Sequence, residues 1–356
     1  MDKEFILSQI NGTQKAKNKL PEYYHTPNII YPSKLSMEQC SSEKTGLYKS
    51  KIIKGESLID LTGGFGIDSF YFSKEFKTII HIEQNTLLSE LAEKNFKLLK
   101  ANNIESINAT AEEFIDSTNI KADFIYIDPS RRNVNERVFK LDDCTPNIID
   151  LAPEIFKIAD QILIKTAPLL DIKQTIKDLK KVSEIWVISV DNDCKEVLYL
   201  IDKNNTSAPE INTINLTKNN QEFSFNYENE INSSVSYSLP EKYLYEPNSA
   251  ILKAGAFNSV SDKYRIDKIA PNSHLYTSES KVENFPGRIF KIEKTIPYST
   301  KEFKKIGLKK ANISCRNFKE TVEQTKKKIK LKDGGNHYVF ATTDINNKPI
   351  LIICVK

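Results

Sequence analysis

The sequence is poor in the features that mark exported, membrane-spanning or zinc-binding proteins. Its five cysteines form no CxxC pair and do not cluster with the four histidines, which argues against a disulfide framework and against a zinc site. No stretch approaches the roughly 18 apolar residues of a membrane helix. Residues 1–24 lack the apolar core of an export signal. We therefore expect a cytoplasmic protein with no metal and no membrane partner.

Net charge is also small, since 51 lysines and arginines oppose 47 aspartates and glutamates for a formal charge of +4. Such a balance neither demands nor excludes a nucleic acid partner. The basic residues concentrate in residues 301–332, which contain KEFKKIGLKK and KKKIKLK. This segment is either a solvated lysine-rich surface or a patch for a polyanion.

What the sequence does contain is a regular alternation of short apolar strands and helices. A helical arm is predicted at residues 3–18, ahead of this alternation. The predicted strands are 58–62, 78–84, 106–110, 123–130, 160–166 and 184–191. Apolar strands separated by helices indicate a parallel sheet covered on both faces. An antiparallel hairpin is predicted at 211–217 and 221–227, and residues 287–356 predict a small α+β domain in the order β-α-β-α-β-β.

A glycine-rich turn follows the first of these strands. In DLTGGFGID, Gly63, Gly64 and Gly66 let the backbone approach a ligand closely. A dinucleotide site would carry a third glycine where Ser69 stands. The acidic Asp60, three residues before the first glycine, is instead typical of S-adenosylmethionine sites, in which the ligand offers an ammonium and a carboxylate.

Two further signals lie at the ends of the second and fourth strands. Glu83 lies 23 residues after Asp60, where a carboxylate can accept hydrogen bonds from both ribose hydroxyls of a nucleoside. The run DPSRR occupies residues 128–132. Because open α/β sheets bind ligands at the carboxyl ends of their strands, we expect this run to face the glycine turn across one crevice.

Together these motifs resemble those of class I S-adenosylmethionine-dependent methyltransferases. DPSRR is similar to the [N/D]PP[Y/F/R] loop of members that act on nucleobases, in which oxygen atoms orient the amine that is methylated. The runs YPSKLSMEQCSSEKTGLYKS, IKTAPLLDI, DNDCKE, YLYEPNSAILKAGAF, PNSHLYTS and KDGGNHYVFATT resemble a bacterial family of methyltransferases that end in a THUMP-like domain.

The resemblance implies a Rossmann-like α/β domain, with a mostly parallel sheet and helices on both faces, followed by a small α+β part. It divides the chain into a helical arm (1–50), a methyltransferase domain (51–240), a ferredoxin-like segment (241–285) and a THUMP-like domain (286–356). THUMP domains bind RNA, so the resemblance implies tRNA or rRNA as a partner. Here, however, this domain follows the catalytic domain instead of preceding it.

The resemblance also implies a set of site residues. The predicted contacts with S-adenosylmethionine are Asp60, Thr62, Gly63, Gly64, Gly66, Asp68, Glu83, Gln84, Asn108 and Asp128. The predicted catalytic residues are Asp128, Pro129, Ser130 and Arg131, of which Arg131 would stack on a base or bind phosphate. Relatives often hold the adenine amino group with an aspartate where Thr110 stands; Asn108 or Glu112 is the expected substitute.

The absence of a cysteine nucleophile from one loop bears on which atom receives the methyl group. The loop from Lys165 to Pro168 carries no cysteine nucleophile, and Cys144 and Cys194 are more typical of small buried hydrophobic residues. We therefore expect direct transfer to a nitrogen of an RNA base. Two alternatives stay open: a binding or assembly factor without catalysis, and a methyltransferase acting on a protein or small molecule. Ser69 disfavours a nicotinamide-dependent oxidoreductase.

Overall fold

The computed structural model describes residues 3–131 and 141–356, and the side chains of all of these except residues 3, 4, 131 and 143. The chain divides into two compact units, residues 1–190 with 194–210 and residues 191–193 with 211–356. Every helix within the described ranges is too short or too polar to span a lipid bilayer.

The first unit begins with four helices, of which the third and fourth have side-chain N-caps. Ser33 caps the third helix by accepting a hydrogen bond from the backbone of Ser36. Ser42 and Thr45 form a reciprocal capping box on the fourth. The helices are α1 (Lys3–Lys19), α2 (Pro21–His25), α3 (Lys34–Gln39) and α4 (Glu43–Ile52). The predicted helical arm at 3–18 is therefore confirmed.

Seven strands of the first unit belong to one sheet, in the spatial order β8-β9-β7-β4-β1-β2-β3. The five strands from β7 to β3 are parallel, and β9 runs antiparallel to β7. A separate two-stranded ribbon pairs β5 with β6. The strands are β1 (Ser57–Asp60), β2 (Thr78–Ile82), β3 (Ile104–Ile107), β4 (Phe124–Ile127), β5 (Ser130–Arg131), β6 (Cys144–Thr145), β7 (Gln161–Thr166), β8 (Val182–Val190) and β9 (Asp193–Asp202).

Helices separate the parallel strands. The central strands are largely buried, whereas the edge strand β3 is only partly buried. All four residues of β4 are buried, as are the last three of β1, which is expected of a sheet covered on both faces. The helices are α5 (Ile67–Phe72), α6 (Thr86–Leu98), α7 (Ala111–Ser117), α8 (Ile148–Ile155) and α9 (Ile172–Leu179). The predicted Rossmann-like α/β architecture is confirmed.

Two details of the first unit differ from the sequence-based expectation. The third strand covers 104–107 instead of 106–110, and it ends three residues earlier than predicted because Thr110 already caps α7. The second difference is the strand β9, which the sequence pattern did not reveal. The chain reverses at Asp191 and Asn192, both at positive φ, and runs back immediately.

The second unit contains the confirmed hairpin and a seven-stranded sheet in the order β13-β14-β12-β15-β18-β17-β16. Its strands are β10 (Glu210–Leu216), β11 (Gln221–Phe225), β12 (Tyr243–Pro247), β13 (Asp267–Lys268), β14 (Tyr276–Ser278), β15 (Gly287–Pro297), β16 (Asn312–Cys315), β17 (His337–Thr343) and β18 (Pro349–Val355). Its helices are α10 (Tyr227–Asn232), α11 (Ser249–Ala254), α12 (Phe257–Tyr264), α13 (Thr300–Ile306) and α14 (Val322–Ile329). The predicted β-α-β-α-β-β order over 287–356 is confirmed.

Candidate active site

A cavity of about 700 Å³ lies at the carboxyl ends of β1, β2, β4 and β7. This volume is within the range of small-molecule sites, roughly 300–1,000 Å³. Predicted site residues converge on it: its lining includes Asp60, Thr62, Gly63, Gly64, Asp68, Glu83, Gln84, Asp128, Pro129 and Ser130. Gly66 and Asn108 are not among the described residues that line it. The sequence motifs thus meet in one crevice.

The glycine turn is held against a buried histidine. A Cβ added to Gly63 would lie 2.2 Å from the ring of His81, so this position has no room for a side chain. Gly64 and Gly66 have φ angles of +56° and +82°, a region that favours glycine. Burial lowers the pKa of His81 to about 4, so the ring that supports the turn is neutral at physiological pH.

Asp60 is buried at the base of the cavity and braces the turn above it. Its carboxylate accepts hydrogen bonds from the hydroxyl of Ser69 at 2.6 Å and from the backbone N–H of Thr62 at 3.1 Å. Burial raises the pKa of Asp60 to about 7, against the effect of these two bonds. Ser69, at the position that a dinucleotide site gives to glycine, is therefore a structural partner of this carboxylate.

Glu83 links the glycine turn to the end of β2. One carboxylate oxygen accepts a bond from the N–H of Gly64 at 2.8 Å, and the other accepts one from Asn85 at 2.7 Å. Each oxygen keeps a lone pair for a further donor. The side-chain amide of Asn108 donates to the carbonyls of Glu83 and Gln84, so Asn108 shapes the loop from behind it.

The positions of Asn108 and Glu112 bear on which of them could accept a hydrogen bond from an adenine amino group. Glu112 lines the cavity, whereas Asn108 is not among the described residues that line it, and its Oδ1 already accepts a hydrogen bond from the Thr86 hydroxyl. Thr110, which stands where relatives carry an aspartate, accepts a bond from the N–H of Glu113 as the cap of α7. Geometry therefore favours Glu112 over Asn108 for this contact.

The Asp128 loop closes the opposite wall. The N–H of Asp128 donates to the Thr62 hydroxyl at 2.6 Å, which ties the loop to the glycine turn. The backbone of Ser130 and Arg131 pairs with β6. The side chain of Arg131 and the whole of Arg132 lie outside the described residues, so the predicted stacking role stays a prediction. Cys144 is buried at this wall.

Sequence reasoning missed a buried charge cluster behind the Asp128 loop. Lys165, at the end of β7, forms an ion pair with Asp128, and its Nζ lies 3.8 Å from Asp68. Lys49, on α4, is fully buried and pairs with Asp68 at 2.9 Å and with Glu196 at 3.1 Å. We call Lys49, Asp68, Asp128, Lys165 and Glu196 the charge cluster.

Two hydroxyl groups complete the charge cluster. Ser41 donates to Asp68 at 2.8 Å and accepts hydrogen bonds from Lys49 and Lys165, while Tyr126 donates to Asp68 at 2.7 Å. Burial alone would lower the pKa of Lys165, but the surrounding carboxylates raise it above its ordinary value. Lys165 is therefore a cation at the wall of the cavity.

The members of this cluster are far apart in the sequence. Lys49 and Glu196 are separated by 147 residues. They lie within the runs YPSKLSMEQCSSEKTGLYKS and DNDCKE, which resemble the family but suggest no role for either residue. The available signals were the family-like runs that contain these residues and the place of Lys165 at the end of a strand, where open α/β sheets carry their functional residues.

Comparison with known proteins agrees with this geometry. Residues 243–286 match the family of ferredoxin-like domains and residues 287–356 match that of THUMP-like domains. A protein of Porphyromonas gingivalis W83, provisionally designated a methyltransferase, has a crystal structure that is 35% identical to this chain. The match covers 99% of this chain and 90% of that chain, with a TM-score of 0.92. No curated protein matches the chain in sequence.

Two further solved structures are similar over less than half of this chain. The M. jannaschii tRNA m1G37 methyltransferase is 17% identical over 47% of this chain and 52% of that chain, with a TM-score of 0.33. M. capricolum TrmK, in complex with S-adenosyl-homocysteine, is 15% identical over 45% of this chain and 69% of that chain, with a TM-score of 0.35. Similarity this low carries no functional weight.

The full-length match to the Porphyromonas protein does carry weight, because it covers nearly the whole of both chains. The chain belongs to the bacterial class I S-adenosylmethionine-dependent methyltransferase family that ends in ferredoxin-like and THUMP-like domains.

Proposed function

We propose that the chain transfers a methyl group from S-adenosylmethionine to RNA. The observation that carries this proposal is the convergence of Asp60, Glu83 and Asp128 on one cavity of about 700 Å³ beside a glycine turn. The turn offers exposed backbone that a side chain at Gly63 would disrupt, and the wall is rich in carboxylates, which suits a cationic ligand. These features fit the cofactor.

Each residue has a distinct part in holding the cofactor. Glu83 would accept the ribose hydroxyls, Asp60 would face the ammonium group, and Glu112 would take the adenine amino group. The backbone of Gly63 and Gly64 would border the methionine part. When bound, the cofactor supplies an electrophilic methyl group. Asp128 would then hold the acceptor, since its loop is fixed to the turn through Thr62.

The RNA part of the proposal is supported by the THUMP-like match and by the lysine-rich segment 301–332. The division of the chain at residues 50/51, 240/241 and 285/286 belongs to the same proposal. A nitrogen acceptor, as the DPSRR run predicts, is one hypothesis for the atom that receives the methyl group.

Calorimetry and a transfer assay test the proposal together. The purified protein should bind S-adenosylmethionine at least about tenfold more tightly than NAD. It should also transfer labelled methyl groups to RNA from cells that lack the gene, and not to RNA from cells that carry it. Equal affinity for both cofactors would contradict the cofactor assignment.

The same assay distinguishes the alternatives. A protein that binds both S-adenosylmethionine and RNA but transfers no label would be a binding or assembly factor. Label that appears in protein or small molecules of the extract, and not in RNA, would identify a methyltransferase with a different substrate.

A further inference from the structure

The charge cluster places a cation where the methyl acceptor would lie. Lys165 forms an ion pair with Asp128, and both line the cavity. The Lys165 side chain is only 12% exposed, so solvent screens its charge weakly. Ser41 and Asp68 hold the same ammonium group from the other side. The position of Lys165 is thus fixed before any acceptor arrives.

A fixed ammonium group discriminates between acceptor atoms. A nitrogen that attacks a methyl group gains positive charge, which a neighbouring cation opposes. A hydroxyl oxygen loses its proton as it attacks and gains negative charge, which the same cation stabilises. A neutral hydroxyl is also a weak nucleophile that needs a base beside it, and the Asp128 carboxylate touches the ammonium group.

We propose that the acceptor is a hydroxyl oxygen, the ribose 2′-hydroxyl of RNA, which Lys165 and Asp128 bind as a pair of catalytic residues. This inference rests on the proposed RNA methyltransferase function and replaces its nitrogen acceptor. Along the backbone of an RNA strand, the 2′-hydroxyl is the hydroxyl that each internal nucleotide retains.

The transfer balances with these two residues and the methyl donor. The hydroxyl oxygen forms a bond to the methyl carbon while the bond from that carbon to the sulfonium sulfur breaks and its electron pair stays on sulfur. The hydroxyl proton passes to the carboxylate of Asp128 and from there to solvent. The ammonium group of Lys165 keeps its protons throughout and donates a hydrogen bond to the oxygen as its charge develops.

Lys49 and Glu196 act as positioning residues in this scheme. Both are buried, and one oxygen of Glu196 accepts no hydrogen bond from the described part of the chain. Burial raises the pKa of Glu196, and Lys49 and Lys165 counteract that effect. With two lysines and three carboxylates the cluster has one negative charge in excess, so the positive charge of the methyl donor would neutralise it.

Alkaline hydrolysis of the labelled product tests the acceptor directly. Alkali cleaves RNA through the 2′-oxygen, so a 2′-O-methylated nucleotide survives in an alkali-stable dinucleotide. Wild-type protein, labelled S-adenosylmethionine and RNA from cells lacking the gene should give label in dinucleotides. Label in mononucleotides would overturn the hydroxyl acceptor and leave the RNA methyltransferase function intact. Absence of label from RNA would overturn both.

Variants test the two catalytic residues. Lys165→Met and Asp128→Asn should each lower kcat by at least about a hundredfold, the scale of general acid–base catalysis, and change the dissociation constant of S-adenosylmethionine by less than about fivefold. Lys165→Arg, which keeps the charge, should restore part of kcat. Lys97→Met, at an exposed lysine of α6, serves as the control. Turnover by Lys165→Met within about threefold of wild type would refute the role of Lys165.

Discussion

At the scale of single residues, Asp60 carries a charge that the protein only partly stabilises. Its carboxylate is buried and its pKa is raised to about 7 by desolvation, with Asp68 and Asp128 adding to the rise. We therefore expect a substantial share of ligand-free molecules to be protonated at Asp60 at pH 7. A ligand ammonium would favour the charged form, so binding and proton release are coupled.

The coupling gives a pH dependence with a defined sign. Because the ligand must displace the proton of Asp60 below pH 7, the dissociation constant for S-adenosylmethionine should fall about fivefold from pH 6 to pH 7. Asp60→Asn should remove this part of the dependence. The ligand's own titration is common to both proteins, so calorimetry on the pair isolates Asp60. Identical profiles would show that Asp60 does not face the ammonium group.

Glu83 offers a second test at the same scale. Glu83→Ala should weaken cofactor binding by about 1.5–3 kcal/mol, the value of a charged hydrogen-bonding group, or roughly tenfold to a hundredfold in Kd. Glu90→Ala, at an exposed glutamate on α6, is the control and should change Kd little. If the Kd of Glu83→Ala for the cofactor changes by less than about twofold, Glu83 stabilises the loop and does not contact the cofactor.

Residues of the site differ in how far sequence could predict them. Asp60 and Glu83 follow from local pattern, because each lies at a fixed offset from a glycine turn or a strand end. Lys49 and Glu196 do not, because their pairing depends on how α4 and β9 pack, and periodicity specifies no partner at long range. A buried lysine on a short helix is indistinguishable in sequence from the solvated lysines around it.

At the scale of elements, α4 matters because it carries Lys49 into the charge cluster. Its first turn depends on the reciprocal bonds between Ser42 and Thr45. Ser42→Ala should lower the free energy of unfolding by about 1 kcal/mol, the usual value of an N-cap. Urea denaturation measures this, with the exposed Ser117→Ala on α7 as the control. Equal values for the two variants would show that the cap contributes nothing.

Strands and helices with a clear apolar pattern could be predicted from the sequence. Element boundaries that depend on the backbone conformation of a turn could not. The sequence DNDCKE concealed the start of β9, because Asp191 and Asn192 reverse the chain without a glycine. Between α11 and α12, Gly255 adopts a φ of +80° and ends the first of the two helices. In both places residues in the left-handed region decide the boundary, and apolar periodicity does not detect them.

At the scale of the whole molecule, the lysine-rich segment gives a prediction about RNA affinity. Lysines that contact phosphate release counterions, so each should contribute about one unit to the slope of log K against log salt. Lys309→Gln combined with Lys327→Gln should reduce that slope by about two. The matched control is Lys94→Gln with Lys97→Gln on α6. Filter binding at several salt concentrations measures both.

If the two double variants behave alike, segment 301–332 is solvated surface and the RNA contact lies elsewhere. If the wild-type protein and both double variants all fail to bind RNA, the partner is not RNA. The first outcome concerns where RNA binds, and the second concerns whether RNA binds at all.

The continuous sheet of the second unit has a consequence for how its two family segments fold. The boundary between the ferredoxin-like and THUMP-like families falls at residues 286 and 287, yet β12 pairs with β15 across it from Tyr243–Lys291 to Pro247–Gly287. Separating the two segments would leave a bare strand edge, which is prone to self-association. We therefore expect each segment to aggregate when it is produced alone, and the two to fold together as one cooperative unit.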